Sequence, residues 1–526
     1  MNRAHPAPDE LQARWRAQHI WTDETLLDRL DAVDGDTLAV VDGDTRLTVD
    51  DLRTRSTRLA SALYERGVGP GDVVAWQLPN WWEAVVLCWA VWRCGATASP
   101  ITPTLGAHEL GFILRRTGAR LMIVPQLFRG TDYPALVRAS GYDGEVLVVR
   151  GDRPLPRGSA PLPAVVVSVD DSAVILWTSG TTSEPKGVVH THQSLRVEAD
   201  TIAAAHAVTA GEALLLPMPV THVAGLTYGI LLPVTSAITA VLMDTWEPGR
   251  ALELLERESI AVIISTPVFM RTMIDHPAFA DTNRASVRMF SLGGAGVAPA
   301  MVREGAHAFG CWCKRTYGST EYPTLTTGRF GDDLERDATT DGPLIGAAEL
   351  RIVDPKTLDD MPPGTPGELL ARGPEMFIGY LDRSLDTDAF VDDGWFRTGD
   401  LAVYDGEYLT IVDRLKDIII RGGENISAQE IEALLVTHPD ITEAACVACP
   451  DPVMGEKVCA YVIAVPGSEP SLVEVREHLL ERGLARFKVP ERLVLRETLP
   501  RTASGKVQKS PLRDEQRAEA DEARGG

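Results

Sequence analysis

Apolar and polar positions along the chain follow two periods, and the period changes with position. Residues 52–65 place apolar side chains at helical spacing, and Gly67-Val-Gly-Pro-Gly-Asp72 ends that run. The apolar run 73–78 predicts a strand, 82–92 a buried helix and 120–124 another strand. Residues 150–163 are rich in Pro and Gly and predict a surface link. The alternation resumes with a strand over 174–177. The uncharged stretch 222–243 then predicts a buried helix followed by a buried strand, and 260–265 and 289–293 two more strands. Helices alternating with short apolar strands predict an α/β layered sheet. From Gly346 the texture changes to short strands, at 349–353, 367–371 and 408–412, separated by Gly, Asp and Pro. That is a small β-rich lobe. The remainder combines helices at 428–438 and 471–482 with strands at 444–448 and 457–464, a compact α+β unit. The charged tail from Pro511 is expected to fray.

Composition and charge narrow the class. With 526 residues the chain exceeds one compact core, so roughly two to four domains are expected. Apolar residues at 44% and charged residues at 24% exclude fibrous, collagen-like and wholly disordered chains. Acidic residues outnumber basic ones, 74 to 51, giving a net charge of −23. A general nucleic-acid binder needs the opposite sign. Anionic ligands must then be held by focal devices: backbone amides, single cations, a metal ion. Seven cysteines are an odd and sparse set, which suits free thiols in a reducing cytoplasm. Cys446-x-x-Cys449 lies in an apolar run without a second pair at zinc spacing, so two core thiols are expected there. The N-terminus lacks an apolar signal region. The uncharged stretch contains Gly225, Gly229 and Pro233, unlike a membrane span. A cytoplasmic chain with no membrane span is expected.

The loudest local signal is Trp177-Thr-Ser-Gly-Thr-Thr-Ser-Glu-Pro-Lys-Gly-Val-Val189. A strand runs into a loop of small hydroxyl and glycine residues, then one lysine, then a helical stretch from His192. Small residues leave backbone N–H groups able to surround phosphate oxygens, and hydroxyls add donors. Lys186 supplies a point charge. The spacing is not that of a Walker A loop, which counts against a motor ATPase or GTPase. By itself the segment also fits a surface turn, since Ser, Thr and Gly are turn residues.

Thr178-Ser-Gly-Thr-Thr-Ser-Glu-Pro-Lys-Gly187 resembles the signature loop of the adenylate-forming superfamily: acyl-CoA synthetases, adenylation domains of nonribosomal peptide synthetases, and luciferases. The superfamily usually has Gly where this chain has Ser183, a change that stiffens the loop slightly and removes no donor. Further segments match in the superfamily's order. Tyr317-Gly-Ser-Thr-Glu321 is similar to its nucleotide motif, Gly394-Trp-Phe-Arg-Thr-Gly-Asp400 to its ribose motif and Asp413-Arg-Leu-Lys-Asp417 to its hinge. Gly422-Gly-Glu-Asn-Ile426 follows the hinge, and Leu499-Pro-Arg-Thr-Ala-Ser-Gly-Lys506 is similar to the C-terminal lysine motif. The resemblance spans residues 178–506. It implies a large N-terminal domain over 1–412, made of two layered α/β subdomains and the small β-rich lobe. A hinge at 413–417 and a small mobile α+β lid over 418–526 follow.

The resemblance also implies two half-reactions. A carboxylate attacks the α-phosphate of ATP, giving acyl-AMP and pyrophosphate; a thiol, usually that of coenzyme A, then takes the acyl group and AMP leaves. Bringing two anions together calls for neutralisation and positioning. Thr178, Ser179, Gly180, Thr181, Thr182 and Lys186 are the expected phosphate loop. Glu321 is the expected Mg²⁺ ligand, since hard carboxylate oxygens suit that ion, and Thr320 is expected on the AMP phosphate. Tyr317, with Gly318 and Ser319, is expected at adenine, where Gly294 and Ala295 admit the base close to the backbone. Asp400 is expected to accept two hydrogen bonds from the ribose diol, with Arg414 nearby. Lys506 is the expected bridge between carboxylate and α-phosphate. It would enter only with the closed lid and so act in the transition state. Lys416 falls on the hinge, and Gly422 and Gly423 on the thiol tunnel, where backbone must approach a thin arm closely. His222 matches an acyl-pocket position and either gates the pocket or is structural. His190 and His192 are expected to be loop and helix-start residues.

Which acid is activated is less legible. The pocket is expected from His222, Val223, Gly225 and Leu226, the segment after Pro267, and Gly293 to Gly296. No charge in these segments recognises an ammonium group, which disfavours amino acids. The segments 77–83 and 179–187 resemble bacterial ligases for alicyclic, aromatic or medium-chain acids, and a bulky ring-containing acid is favoured. The nearest rival is an enzyme that stops at acyl-AMP or loads a carrier-protein thiol. A non-catalytic nucleotide-binding protein and a luciferase-like oxygenase are the other classes. Retention of Lys506, Glu321 and Asp400 argues against the first of these, and no luciferin pocket is evident for the second.

Overall fold

The computed structural model describes residues 5–150, 153–178, 184–422, 424–502 and 506–525. Contacts divide the chain into two compact units, Met1–Leu350 with Ala371–Arg397, and Arg351–Leu370 with Thr398–Gly526.

The first unit holds two sheets. The eight-stranded sheet runs in the order Thr326–Thr327, Trp312–Tyr317, Met289–Gly293, Ile260–Ser265, Ala213–Leu216, Thr239–Leu242, Leu38–Asp42 and Thr45–Thr48. Its inner pairings are parallel and its two edge strands antiparallel. The six-stranded sheet runs Lys186–Thr191, Ser172–Thr178, Thr97–Pro100, Val73–Trp76, Leu121–Pro125 and Glu145–Val149. It is parallel except for the first of these, an antiparallel edge strand. Strands such as Leu121–Pro125 are buried at every residue, as parallel strands covered on both faces must be.

Helix Trp82–Arg93 is apolar on all sides and buried from Glu83 to Trp92. A helix without a polar face must sit inside. It packs in a core that also takes Val40 and Leu214 from one sheet and Val74 and Trp76 from the other. Trp92 Nε1 donates to the Ala173 carbonyl at 2.8 Å, so even this indole is satisfied. The stretch expected as buried helix plus strand is that: contiguous helical segments Val223–Leu226, Thr227–Leu231 and Leu232–Thr235, the middle one a wider π turn, then strand Thr239–Leu242. Pro233 has no N–H to give the Gly229 carbonyl, and the turn before it widens accordingly.

In the second unit, strands Ile441–Asp451 and Gly455–Ala464 form a long antiparallel pair, joined by Arg492–Leu495, Ile419–Arg421 and Glu424–Ile426. Helices Ala428–Leu435 and Leu472–Glu481 pack their apolar faces into one core with that sheet. Cys446 and Cys449 are buried on Ile441–Asp451 and behave as core thiols. Residues 401–404 and 409–413 pair antiparallel, with Asp400 opposite Arg414.

The tail does not fray as its charge suggested. Residues Lys509–Gly525 form a helix. Leu512 and Gln516, four residues apart, are buried, and Gln516 Nε2 donates to the Tyr461 hydroxyl at 2.7 Å. Lys509 Nζ lies 2.8 Å from Glu432 Oε1, which also accepts from the Cys446 N–H at 2.6 Å. Burial pushes the Glu432 carboxyl up, and the Glu432 and Asp413 charges hold Lys509 protonated against its own burial. Among the described residues no helix is long and apolar enough to cross a membrane.

Removing one partner of such a pair strands the other. Lys509→Met is expected to cost the second unit about 2 kcal/mol, below the ~3–5 kcal/mol of a fully buried pair because both side chains keep some exposure. Urea unfolding read by a probe in that unit checks this; an unchanged midpoint would remove the pair from the account.

Candidate active site

The phosphate-loop segment leaves one strand and re-enters the next. Thr178 closes strand Ser172–Thr178, Lys186 opens strand Lys186–Thr191, and the two residues face each other in register. Both are half-buried. Ser179, Gly180, Thr181 and Thr182 lie outside the described residues. The stretch after Lys186 is this edge strand before it is a helix, because Val188 and Val189 fill the sheet interior. The helix starts at His192, where the Thr191 hydroxyl caps it by accepting from the Ser194 N–H at 3.1 Å.

Strand Trp312–Tyr317 delivers the second group. Gly293 pairs with Thr316, so two parallel strands end side by side, the usual crevice of an open α/β sheet. A Cβ on Gly293 would lie 2.7 Å from the Thr316 carbonyl, and Gly294 has a φ of +75°. Gly294, Ala295 and Gly296 are exposed at that strand end. Past Tyr317 the chain turns sharply. A Cβ on Gly318 would fall 1.9 Å from the Pro323 carbonyl, so only glycine fits. Ser319 N–H donates to the Tyr322 carbonyl at 2.8 Å, and Tyr322 N–H to Ser319 Oγ at 3.0 Å. The turn presents Thr320 and Glu321, both half-buried.

Two residues that sequence reasoning left out of the site hold that turn. His190 is fully buried, and its Nε2 lies 2.7 Å from the Thr320 carbonyl. A carbonyl only accepts, so Nε2 carries the proton and Nδ1 faces Ser194 Oγ at 3.3 Å as acceptor. Burial lowers its pKa to about 4, against the opposing pull of the Thr320 carbonyl. It is thus a strand residue, not the loop residue expected. Its one sequence signal is a histidine four positions after the loop lysine in an apolar run. Tyr380 donates its hydroxyl to Glu321 Oε1 at 2.8 Å, and Lys186 Nζ lies 5.1 Å from its ring centroid. No spacing rule points to it. Beneath the turn, Thr324 Oγ1 donates at 2.7 Å to Glu198 Oε1, whose carboxyl burial raises to about 8.

The acyl-pocket segment is fixed from below by Asn80, in the Gln77-Leu-Pro-Asn80 stretch. Its amide donates to the Met218 carbonyl and accepts from the Val220 N–H, both at 2.8 Å. His222 and Val223 are half-buried at the start of the short helix that follows. Gly225 is required there, since a Cβ would meet the Pro219 carbonyl at 1.9 Å.

The second unit brings other predicted residues together. Asp400 is buried and pairs with Arg414, Nε to Oδ1, at 3.0 Å, the two being ladder partners. Lys416 lies in the turn Leu415–Asp417, where Arg513 donates to its carbonyl at 2.9 Å and pairs with Asp417. Gly422 has a φ of +59° and donates its N–H to the Met454 carbonyl at 2.8 Å. Gly423 lies outside the described residues. Thr502 N–H donates to the Lys506 carbonyl at 2.8 Å and Lys506 N–H to Thr502 Oγ1 at 3.1 Å.

The buried neutral His190 makes folding pH-dependent. Its folded pKa of about 4 lies below the ordinary 6.5, so the unfolded chain binds more protons between those values. Stability is full above pH 6.5 and falls as pH drops toward 4, by roughly 3 kcal/mol for a shift of this size. His192, also lowered to about 4 by burial, adds to the same window. His190→Gln keeps a donor for Thr320 and removes one titration. Melting temperatures from pH 8 to pH 4 are expected to fall less steeply for this variant; an equal slope would contradict the assignment.

The AMP-binding enzyme family model matches residues 27–381, and the model of its C-terminal domain matches 430–506. A medium-chain fatty-acid–CoA ligase of Escherichia coli is 32% identical, over 96% of this chain and 93% of its own. A methyl-dioxo-octahydroindenyl propanoyl:CoA ligase of Mycobacterium tuberculosis is 35% identical over 93% and 97%. ATP-bound MatB from Rhodopseudomonas palustris shares the fold at a TM-score of 0.86, with 28% identity over 94% and 99%. By these matches the chain belongs to the AMP-binding enzyme family, as an AMP-forming acid–thiol ligase of the adenylate-forming superfamily.

Proposed function

We propose that this ligase activates a bulky alicyclic, aromatic or medium-chain carboxylic acid as its acyl-AMP and passes it to the thiol of coenzyme A. The observation that carries the proposal is the grouping of Lys186, Tyr380 and Glu321 at the Gly293 and Tyr317 strand ends. Lys186 and the loop it closes hold the departing phosphates. Thr320 binds the AMP phosphate, Tyr317 packs on adenine with Gly318 and Ser319, and Gly294 and Ala295 let the base lie close. Asp400 takes the ribose diol, oriented by its ion pair with Arg414.

Glu321 fits Mg²⁺: it is a hard carboxylate whose Oε1 accepts from Tyr380, while Oε2 has no hydrogen-bond partner among the described residues. One carboxylate is what this ion takes from protein when it arrives on ATP phosphates, and it would neutralise charge developing on them.

Lys506 bridges the acid and the α-phosphate. The connection at Leu415–Asp417 serves as the hinge between the domains 1–412 and 418–526, with Lys416 at its centre, and Gly422 and Gly423 line the thiol path. His222, Val223, Gly225, Gly293 and Gly296 line the acyl pocket; small and uncharged residues there suit a bulky apolar acid. Two relatives, named for a medium-chain fatty acid and for an octahydroindenyl propanoyl group, support that class.

A panel of carboxylic acids with ATP and Mg²⁺, with and without coenzyme A, read by mass spectrometry, tests the proposal. Acyl-CoA formed from one acid class is the expected result. Acyl-AMP accumulating without acyl-CoA would mean a carrier-protein thiol, or release of acyl-AMP itself. Lys506→Ala is expected to lose at least a hundredfold in acyl-AMP formation, about 2.7 kcal/mol of transition-state stabilisation. Conversion of supplied acyl-AMP to thioester should persist. Wild-type acyl-AMP formation would overturn the lysine's role.

A further inference from the structure

Tyr380 occupies a place that no motif assigned. It is buried and sits opposite Val188 in an antiparallel bridge. Main-chain bonds lock its segment to the lysine's strand: Ile378 N–H to the Val189 carbonyl at 2.9 Å, Val189 N–H to the Gly379 carbonyl at 3.1 Å, and Leu381 N–H to the Gly187 carbonyl at 2.7 Å. Side chains two apart on a strand share a face, so Lys186 and Val188 point the same way. Tyr380 is then the diagonal neighbour of Lys186, within reach of an aromatic ring. The ammonium indeed lies 5.1 Å from the ring centroid, in cation–π range.

The same segment also grips the carboxylate. Phe377 N–H donates to the Glu321 carbonyl at 2.9 Å, and the Tyr380 hydroxyl to Glu321 Oε1 at 2.8 Å. The Phe377 and Tyr380 rings meet edge to face at 5.1 Å, which fixes the tyrosine's rotamer. One side chain therefore meets a carboxylate through its hydroxyl and an ammonium through its ring.

We infer that Tyr380 is a positioning residue for adenylation, its hydroxyl orienting the Glu321 carboxylate and its ring stationing the Lys186 ammonium. A magnesium ion tolerates little departure from octahedral geometry, so a carboxylate that must meet it benefits from a fixed orientation. Groups that orient metal-binding side chains typically carry 10–100-fold in metal affinity or activity. A long lysine side chain held by a ring has less rotamer freedom to lose when the phosphates arrive. The inference rests on the assignment of Glu321 to the magnesium that accompanies ATP.

The test uses the full chain and four proteins: wild type, Tyr380→Phe, Tyr380→Leu and Glu321→Gln. ATP binding is measured by calorimetry with and without Mg²⁺, pyrophosphate release against Mg²⁺ concentration, and melting temperature in parallel. Tyr380→Phe keeps the ring. It is expected to bind ATP normally without Mg²⁺ and to need roughly tenfold more Mg²⁺ for half-activation, with the KM for the acid unchanged. Tyr380→Leu is expected to weaken Mg²⁺-free ATP binding as well. Glu321→Gln is expected to lose the Mg²⁺ response. A wild-type Mg²⁺ response in Tyr380→Phe, with that of Glu321→Gln lost, would overturn the role of Tyr380. So would Mg²⁺-free ATP binding and melting temperature both falling in Tyr380→Phe, which would mark a general packing role. A wild-type Mg²⁺ response in Glu321→Gln would instead overturn the assignment of Glu321, and this inference with it.

Discussion

The hydrogen bond from His190 to the Thr320 carbonyl is the constraint on which the site's geometry hangs. His190 belongs to the edge strand of the six-stranded sheet, and Thr320 to the turn leaving the eight-stranded sheet. The bond therefore ties one sheet's edge to the other's crevice. The His190 side chain is fully buried, so losing the carbonyl would leave its N–H unsatisfied at a cost of about 1–3 kcal/mol. The bond's donor is the Nε2–H of an imidazole that burial keeps neutral. Lys186, four residues earlier on the same strand, inherits a fixed position relative to Thr320 and Glu321. Loop residues that bind phosphate need a frame of this kind, because loops alone do not hold sub-ångström geometry.

Glycines complete the frame by removing side chains where backbones crowd. Gly318 and Gly225 each face a carbonyl at 1.9 Å from any Cβ. One sets the turn that carries Glu321, and the other closes the helix start after His222. Both matter for close approach and not for flexibility, since neither has a positive φ. Asn80 works toward the same end, its amide giving the segment before His222 both a donor and an acceptor.

Much of this was legible in the chain. Apolar runs such as 121–124 marked buried parallel strands, and the run 82–92, apolar except for Glu83, a buried helix. The predicted phosphate lysine opens a strand, the predicted nucleotide carboxylate lies in the turn after one, and the predicted ribose carboxylate lies within one, each inside its own motif, because motifs for ligand contact are local in sequence. What stayed hidden acts through tertiary contact. Tyr380 meets Lys186 across 194 positions of chain only because its segment pairs with Val188. His190 looked like a loop residue because the edge strand containing it is short and begins with Lys and Gly. The C-terminal helix looked unstable because its charges dominate, yet Lys509, Leu512 and Gln516 fall on one face and find Glu432 and Tyr461. Local propensity is a weak guide when a single buried stripe decides the outcome.

The net charge of −23 poses a last question: how an acidic protein collects two anions. Charges farther than about 8 Å are largely screened at physiological ionic strength, so the groups nearest the phosphates decide. Two carboxyls lie under the turn Ser319–Tyr322. Glu198 lies against Thr324 with its pKa raised to about 8, and Glu375, which accepts from the Tyr322 hydroxyl at 3.0 Å, is raised by the same burial. Glu198 is therefore mostly protonated at neutral pH and adds little negative charge beneath the turn. Tyr380 meets Glu321 through its hydroxyl and Lys186 through its ring, so one side chain sets a carboxylate and a lysine beside each other. Burial favours the uncharged form of both acids below this turn, so Lys186 has less negative charge to offset.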